Sequence, residues 1–240
     1  MKKVLLLRKG FKILVECGKK VSTHLGIIDT KKAKVGQKIK THLGNEFFVV
    51  EPNLRDMMEK LKRGAQVILP KDMATIIAYT GLRPNWKVLD AGSGSAFSSI
   101  FLANFLEKGK VITCENDERF YRIALENIKF VGMKNIVLKK CDVKNIKEKN
   151  FNLILLDMEN SDRVIEEMDK KLLIGGYIVV YSPTIDHMIK NLKSLKKTEK
   201  YEVQILENII REWQYEKTLR PKTKGLMHTG FLIIARKVSE

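Results

Sequence analysis

The segment from Trp86 to Ser182 sets the strongest limit on what this chain can fold into. It holds five short apolar runs, "WKVLDAG", "GKVITCE", "NIVLKKCD", "FNLILLD" and "GGYIVVYS", most of them separated by stretches with helical spacing. "SSIFLANFL" and "DRVIEEMDKKL" read as helices. "DERFYRIALENIKFVG" aligns Phe120, Ala124, Ile128 and Val131 on one face, with an acid at its start and Gly132 at its stop. Continuous apolar strands between helices indicate a parallel sheet covered on both faces, a doubly wound, Rossmann-like α/β fold. Two later runs, "YEVQILENIIREWQ" and "TGFLIIARKV", are expected to close the sheet as a strand pair.

The first four runs each deliver a carboxylate at or near the end: Asp90, Glu115, Asp142 and Asp157. In a doubly wound sheet, ligands bind outside the carboxyl ends of the strands. "LDAGSGSAF" puts Gly92 and Gly94 in the first strand-to-helix turn, where missing side chains allow a ligand to come close. Phe97 stands where a dinucleotide signature requires its third glycine, which disfavours NAD and FAD. Glu115 suits the two hydroxyls of a ribose, Asp142 an adenine amino group, and Asp90 the cationic end of an amino acid. This combination resembles a class I S-adenosylmethionine-dependent methyltransferase. Cys114 and Cys141 each precede a site acid, so strand alternation turns them toward the core and argues against a thiol nucleophile. The Asn-Pro-Pro-Tyr signature of exocyclic-amine methylation is absent, its place taken by "DMEN".

Ahead of this segment, "KVLLL", "KILVEC" and "EFFVV" read as short strands separated by turn signals, and THLG occurs at 23–26 and again at 41–44. "EPNLRDMMEKLKRG" reads as a short helix ending at Gly64. We expect a small β-rich module over 1–64 and the methyltransferase domain over 65–240. The formal charge is +17, and residues 1–60 hold 14 basic against 6 acidic residues, so about half the excess lies in the first quarter. That skew points to a polyanion such as nucleic acid, bound in part by the first module. Three cysteines without a CxxC or Cys/His spacing suggest a reducing cytoplasm and no metal site. "MKKVLLLRKG" is too short for a signal-peptide core, and no run approaches the ~18 apolar residues of a membrane span.

A narrower resemblance rests on "KRGAQVILPKDMATIIAYTG", "DAGSGSA", "REWQYEKTLRPKTKGLMHTGF" and the two THLG turns. Together these resemble the tRNA adenine-N1 methyltransferase family, archaeal type, over nearly the whole chain. The resemblance implies methyl transfer from S-adenosylmethionine to N1 of an adenine in the T-loop of tRNA, by a homotetramer. Carried over by motif, Gly92, Gly94, Ser95, Ala96, Phe97 and Ser98 form the cofactor loop, Glu115 takes the ribose and Asp142 the adenine. Asp157 becomes the catalytic acid. Tyr79, Tyr181 and His228 are candidate RNA or base contacts. The chain departs from the family at "DMENSDR", which lacks the proline that follows the acid, and at Ala96 in place of the third glycine. The first departure leaves a second reading, a non-catalytic RNA-binding subunit that retains the fold.

Overall fold

The computed structural model describes residues 2–64, 66–216, 218–225 and 227–240. Two compact units divide the chain, Met1–Leu61 and Lys62–Glu240.

In the first unit, β1 (Lys3–Arg8), β2 (Phe11–Glu16), β5 (Lys38–Lys40) and β6 (Glu46–Val50) form an antiparallel sheet of order β2-β1-β6-β5. β3 (Lys20–Thr23) and β4 (Gly26–Asp29) form a separate hairpin. In β6 the side chains alternate, Phe47 and Val49 entering a core with Val4, Leu6, Val15 and Ile28 while Phe48 is exposed. The two THLG turns lock onto each other. Thr23 and Thr41 each accept a backbone N–H with Oγ1 inside their own turn. The second turn then reaches the first, because His42 Nδ1 accepts from Ile27 N–H at 2.8 Å and Asn45 Nδ2 donates to Leu25 O at 2.8 Å. The helix expected over 51–64 is shorter, α1 (Leu54–Met58), started by a reciprocal Asn53/Asp56 capping box. It cannot run on to Gly64, since both backbone groups of Lys62 are bound by Asn127 of the second unit's own helix, at 2.9 and 2.8 Å.

The second unit opens with α2 (Pro70–Thr80), which starts on the fixed φ of Pro70 and stops at left-handed Gly81. β7 (Lys87–Ala91), α3 (Phe97–Ala103), β8 (Lys110–Glu115), α4 (Glu118–Val131), β9 (Ile136–Lys140), β10 (Phe151–Leu156), α5 (Ile165–Asp169), β11 (Leu172–Ser182) and α6 (Ile185–Lys196) follow. The chain ends with β12 (Tyr201–Glu207), a small hairpin of β13 (Trp213–Gln214) and β14 (Arg220–Pro221), and β15 (Phe231–Lys237). The sheet order is β12-β15-β11-β10-β7-β8-β9. Only β15 is antiparallel to its neighbours β11 and β12, so the expected closing pair is present. Its first member is shorter than "YEVQILENIIREWQ", because Asn208 leaves the strand to donate to Lys71 O and Thr75 Oγ1 at 2.9 and 2.7 Å. Successive buried positions along β7, β8 and β10 show both sheet faces covered. α4 runs between the expected cap residues, with Asp117 accepting from the N–H groups of Arg119 and Phe120 and with left-handed Gly132 at its end. α5 is short, because the 3₁₀ turn Ser161–Arg163 takes the first part of its apolar pattern. Among the described residues no helix is long and apolar enough to cross a membrane.

Candidate active site

β7 and β10 are neighbours at the point where the chain order of the parallel strands reverses, and the site lies beyond their carboxyl ends. Gly92 has φ 88°, and a Cβ on it would lie 2.2 Å from the backbone oxygen of Asp157. The turn therefore requires glycine to let the end of β10 approach. It is bound on both sides. The N–H groups of Gly92 and Ser93 donate to Cys114 O at 3.1 and 3.0 Å, and Asp157 N–H donates to Ala91 O at 3.0 Å. Ala96 takes a left-handed φ of 60° at the entry to α3, a conformation that costs a residue with a Cβ about 1–2 kcal/mol.

Glu115 is buried and holds this turn. Its Oε2 accepts from Gly94 N–H and its Oε1 from Asp117 N–H, each at 2.9 Å. A carboxylate has about four acceptor sites, so one on each oxygen is still open to a ligand hydroxyl. Asp90 lies fully buried, with Oδ2 accepting from the Ser99 hydroxyl and from Thr113 Oγ1, and with no partner for Oδ1 among the described residues. Burial pushes its carboxyl up to about 6, and the nearby Glu115 charge adds to the shift.

Two cavities meet at this edge. The first, about 320 Å³, is lined by Gly92, Gly94, Glu115, Phe120, Asp142 and Asp157 among others. Asp142 is exposed and uses Oδ1 to accept from Lys144 N–H at 2.9 Å, capping a 3₁₀ turn. The second, about 380 Å³, is lined by Gln66, Tyr181, Pro183, Thr184 and His187. Asp157, Met158 and Glu159 line both. The Asp157 carboxylate makes no hydrogen bond among the described residues and caps no helix, since Asn160 is the N-cap of the 3₁₀ turn that follows. Burial pushes it up to about 7, helped by the charge of Asp90.

The structure thus gathers Gly92, Gly94, Glu115, Asp142 and Asp157 around one space. Ser95, Ala96, Phe97 and Ser98 are buried and do not line it. Ser95 instead braces the turn, accepting from Gly64 N–H at 3.0 Å and from the Asn127 amide at 2.8 Å. Tyr181 forms a wall of the second cavity, its hydroxyl donated to Thr229 O. His228 lines neither cavity; its Nδ1 lies 2.6 Å from Glu207 and its Nε2 3.2 Å from the backbone oxygen of the cavity residue Pro183, and the Glu207 contact raises its pKa. Tyr79 is half-exposed on α2 and lines neither cavity. Cys114 joins the core, where Cys141 packs against it with the two sulfurs 3.3 Å apart, although both also border the first cavity. Burial pushes the Cys114 thiol well above its ordinary range, the environment of an inert thiol.

Sequence reasoning missed His187. The Asn191 amide donates to His187 O and Ser182 Oγ, so its oxygen accepts from Ser161 Oγ at 2.8 Å. Having given its proton to Asn191, Ser161 accepts from His187 Nε2 at 3.3 Å. Nδ1 is buried and without a partner among the described residues. The signal was available only as a polar residue in the first turn of α6, directly after the fifth strand. Phe120, expected on one face of α4 with Ala124, Ile128 and Val131, also lines the first cavity.

A family model described as tRNA methyltransferase complex GCD14 subunit matches residues 47–229. The chain belongs to this family. Among relatives of the GCD14 family chain, the tRNA (adenine(57)-N(1)/adenine(58)-N(1))-methyltransferase TrmI of Methanocaldococcus jannaschii is 32% identical, over 98% of this chain and 94% of the relative. The tRNA (adenine(58)-N(1))-methyltransferase TrmI of Thermus thermophilus is 28% identical over 86% and 83%. A solved S-adenosylmethionine-dependent O-methyltransferase of Thermotoga maritima superposes with TM-score 0.86 at 28% identity, over 100% of this chain and 94% of that one. The tRNA (m1A58) methyltransferase TrmI of Aquifex aeolicus gives TM-score 0.80 at 25% identity, over 100% and 98%. The two solved structures are described with different acceptor atoms, so the shared fold does not choose the acceptor.

The fold is that of a class I methyltransferase and its methyl donor is S-adenosylmethionine. The residues present fit that donor. The first cavity lies in the size range of small-molecule sites. Glu115 offers two open acceptor sites, Asp142 one uncommitted oxygen, and the acids Asp90, Glu115 and Asp157 favour a cation.

Proposed function

We propose that this chain transfers the methyl group of S-adenosylmethionine to N1 of an adenine in the T-loop of tRNA. The observation that carries the reading is Asp157, whose carboxylate makes no hydrogen bond among the described residues and lies in the wall shared by two cavities. The cofactor supplies the methyl electrophile, and the protein positions the reactants. Glu115 would accept the ribose hydroxyls and Asp142 the adenine ring of the cofactor. N1 lies on the pairing edge, so the target base must be extruded before it can react. The second cavity would take it, with Tyr181 as a wall that its hydroxyl bond to Thr229 holds still. Asp157 would accept from the exocyclic amino group and offset the positive charge that methylation places on the ring. A water-poor site strengthens such an interaction. The M. jannaschii and T. thermophilus relatives, named for N1 of adenine in tRNA, support the acceptor.

The same reading gives unit 1 a share of the tRNA, His228 a contact to the RNA beside Pro183, and the protein a cytoplasmic place. It also gives a homotetramer, supported by the apolar side chains Trp213, Tyr215 and Leu219 that the β13–β14 arm exposes. Nucleoside mass spectrometry of tRNA incubated with labelled cofactor tests the function. N1-methyladenosine is the expected product. O-methylated nucleoside would overturn the acceptor, and binding of both ligands without transfer would favour the non-catalytic subunit.

A further inference from the structure

A cleft of about 790 Å³ is lined by residues of α5, α6 and the segments beside them. Its basic side chains are not equally engaged. Lys170 pairs with Glu167, and Lys200 with buried Asp169. Among the described residues Arg163, Lys190, Lys193 and Lys197 have no ion pair, although all four line the cleft. The acids that share it are Asp162, Glu166 and Asp169, and Asp169 is already neutralised by Lys200 and Lys237. The charged residues that α6 and its C-cap contribute are therefore all basic, and the acids come from α5 and the 3₁₀ turn before it.

Position along α6 links this cleft to the base cavity. His187 lines the cavity, and Lys190, Ser194 and Lys197 line the cleft. These four follow one another at three- and four-residue steps, so they form one stripe of the helix surface. From His187 to Lys197 the stripe spans ten residue steps, about 15 Å of helix. A chain whose base sits against His187 would continue along a row of unpaired ammonium groups.

We propose that Lys190, Lys193 and Lys197, with Arg163 across the cleft, hold the sugar-phosphate backbone of the RNA whose adenine enters the cavity beside His187. The assignment rests on the tRNA-methylating reading and adds a phosphate-binding surface on the catalytic unit itself. Its chemistry is positional. Ammonium groups fix the register of the backbone and read no bases.

The test measures tRNA affinity of the full chain across a range of salt for three proteins: wild type, the triple variant Lys190→Gln, Lys193→Gln, Lys197→Gln, and Lys196→Gln. Lys196 is exposed on the same helix and does not line the cleft. The triple variant should bind at least tenfold more weakly at physiological salt. Its plot of log affinity against log salt should be shallower by about 2–3, at 0.7–0.9 for each phosphate no longer neutralised. S-adenosylmethionine affinity, read by calorimetry, should stay at the wild-type value in both variants, which shows the fold intact. Lys196→Gln should keep the wild-type slope. An unchanged slope in the triple variant overturns the proposal, and so does a loss in Lys196→Gln as large as one third of the triple's. Methylation by the wild type is followed in parallel. If it transfers no methyl while the slopes still differ, the proposed function fails and the RNA surface stands. If it methylates and the slopes agree, the surface fails alone.

Discussion

In the proposed role Asp157 must be without its proton, because only the anion offsets positive charge on the adenine ring, while a protonated carboxyl keeps no more than an acceptor oxygen. In the free protein, burial and Asp90 hold its pKa at about 7. A bound sulfonium cation would favour the anion and lower that value. The profile of kcat/KM against pH should therefore rise through a limb near 7, and the kcat profile should show the same limb at lower pH. Asp157→Asn should lose the limb and about 10²–10³ in single-turnover rate, with ligand affinities changed far less. Wild-type single-turnover rate in that variant would refute the role. Stability should carry the opposite sign. Asp90 and Asp157 have folded-state values raised to about 6 and 7, so their contribution is fully present below the unfolded value near 4 and is lost as pH rises to 7. Urea unfolding should find Asp157→Asn more stable than wild type at pH 8, by roughly 1–2 kcal/mol once partial solvent contact is allowed for, and no more stable at pH 4. Glu115 makes a separate prediction. Glu115→Ala should lower S-adenosylmethionine affinity more than tenfold by calorimetry, since the ribose hydroxyls lose their acceptors and the N–H groups of Gly94 and Asp117 lose theirs. Unchanged affinity would remove the ribose assignment.

Among the elements, α2 and the start of β15 depend on each other. Lys71 and Asp72 pair at 2.7 Å with the carboxylate fully buried. Thr229 Oγ1 accepts from Lys71 Nζ at 2.7 Å and donates to Asp72 Oδ2 at 2.9 Å. The "PKD" and "HTG" motifs, far apart in sequence, are thus two halves of one buried network, which also ties down Tyr181 through Thr229 O. Asp72→Ala would leave Lys71 buried without its carboxylate. We expect a loss of about 3–5 kcal/mol in urea unfolding, and a smaller loss of about 1–3 kcal/mol for Thr229→Val. A midpoint unchanged in Asp72→Ala would mean that the pair is replaced by water. This network also marks what the sequence could and could not tell. The strand-end acids, the Gly92 turn and the limits of α4 were legible, because each is decided by local spacing and caps. The early ends of α1 and β12 were not, because Asn127 and Lys71 capture the chain across 65 and 137 residues. The place of His187 at the cavity was hidden for the same reason, since Ser161 and Asn191, which hold its ring and backbone, reach it only in the folded chain.

For the whole molecule, the question is where the excess positive charge is free to act. In unit 1 many lysines are already paired: Lys12 with Asp56 and Glu59, Lys19 with Glu16, and Lys38 and Lys40 with Glu46. Lys31, Lys32 and Lys34 lie in and beside the 3₁₀ turn Thr30–Lys32, exposed or nearly so, without an ion pair among the described residues. Unpaired ammonium groups release counterions when they meet phosphate, whereas paired ones must first give up a carboxylate. Reversing Lys31, Lys32 and Lys34 to Glu should therefore weaken tRNA binding and flatten its salt dependence, while S-adenosylmethionine affinity, which depends on unit 2, stays constant. The three sites are far in sequence from the α6 lysines and share no partner with them. Combining the two sets of substitutions should give losses that add in log affinity. Filter binding across a salt series reads both effects. If the unit 1 triple variant binds tRNA as the wild type does, the charge of this module serves another purpose, and the RNA footprint contracts to the catalytic unit.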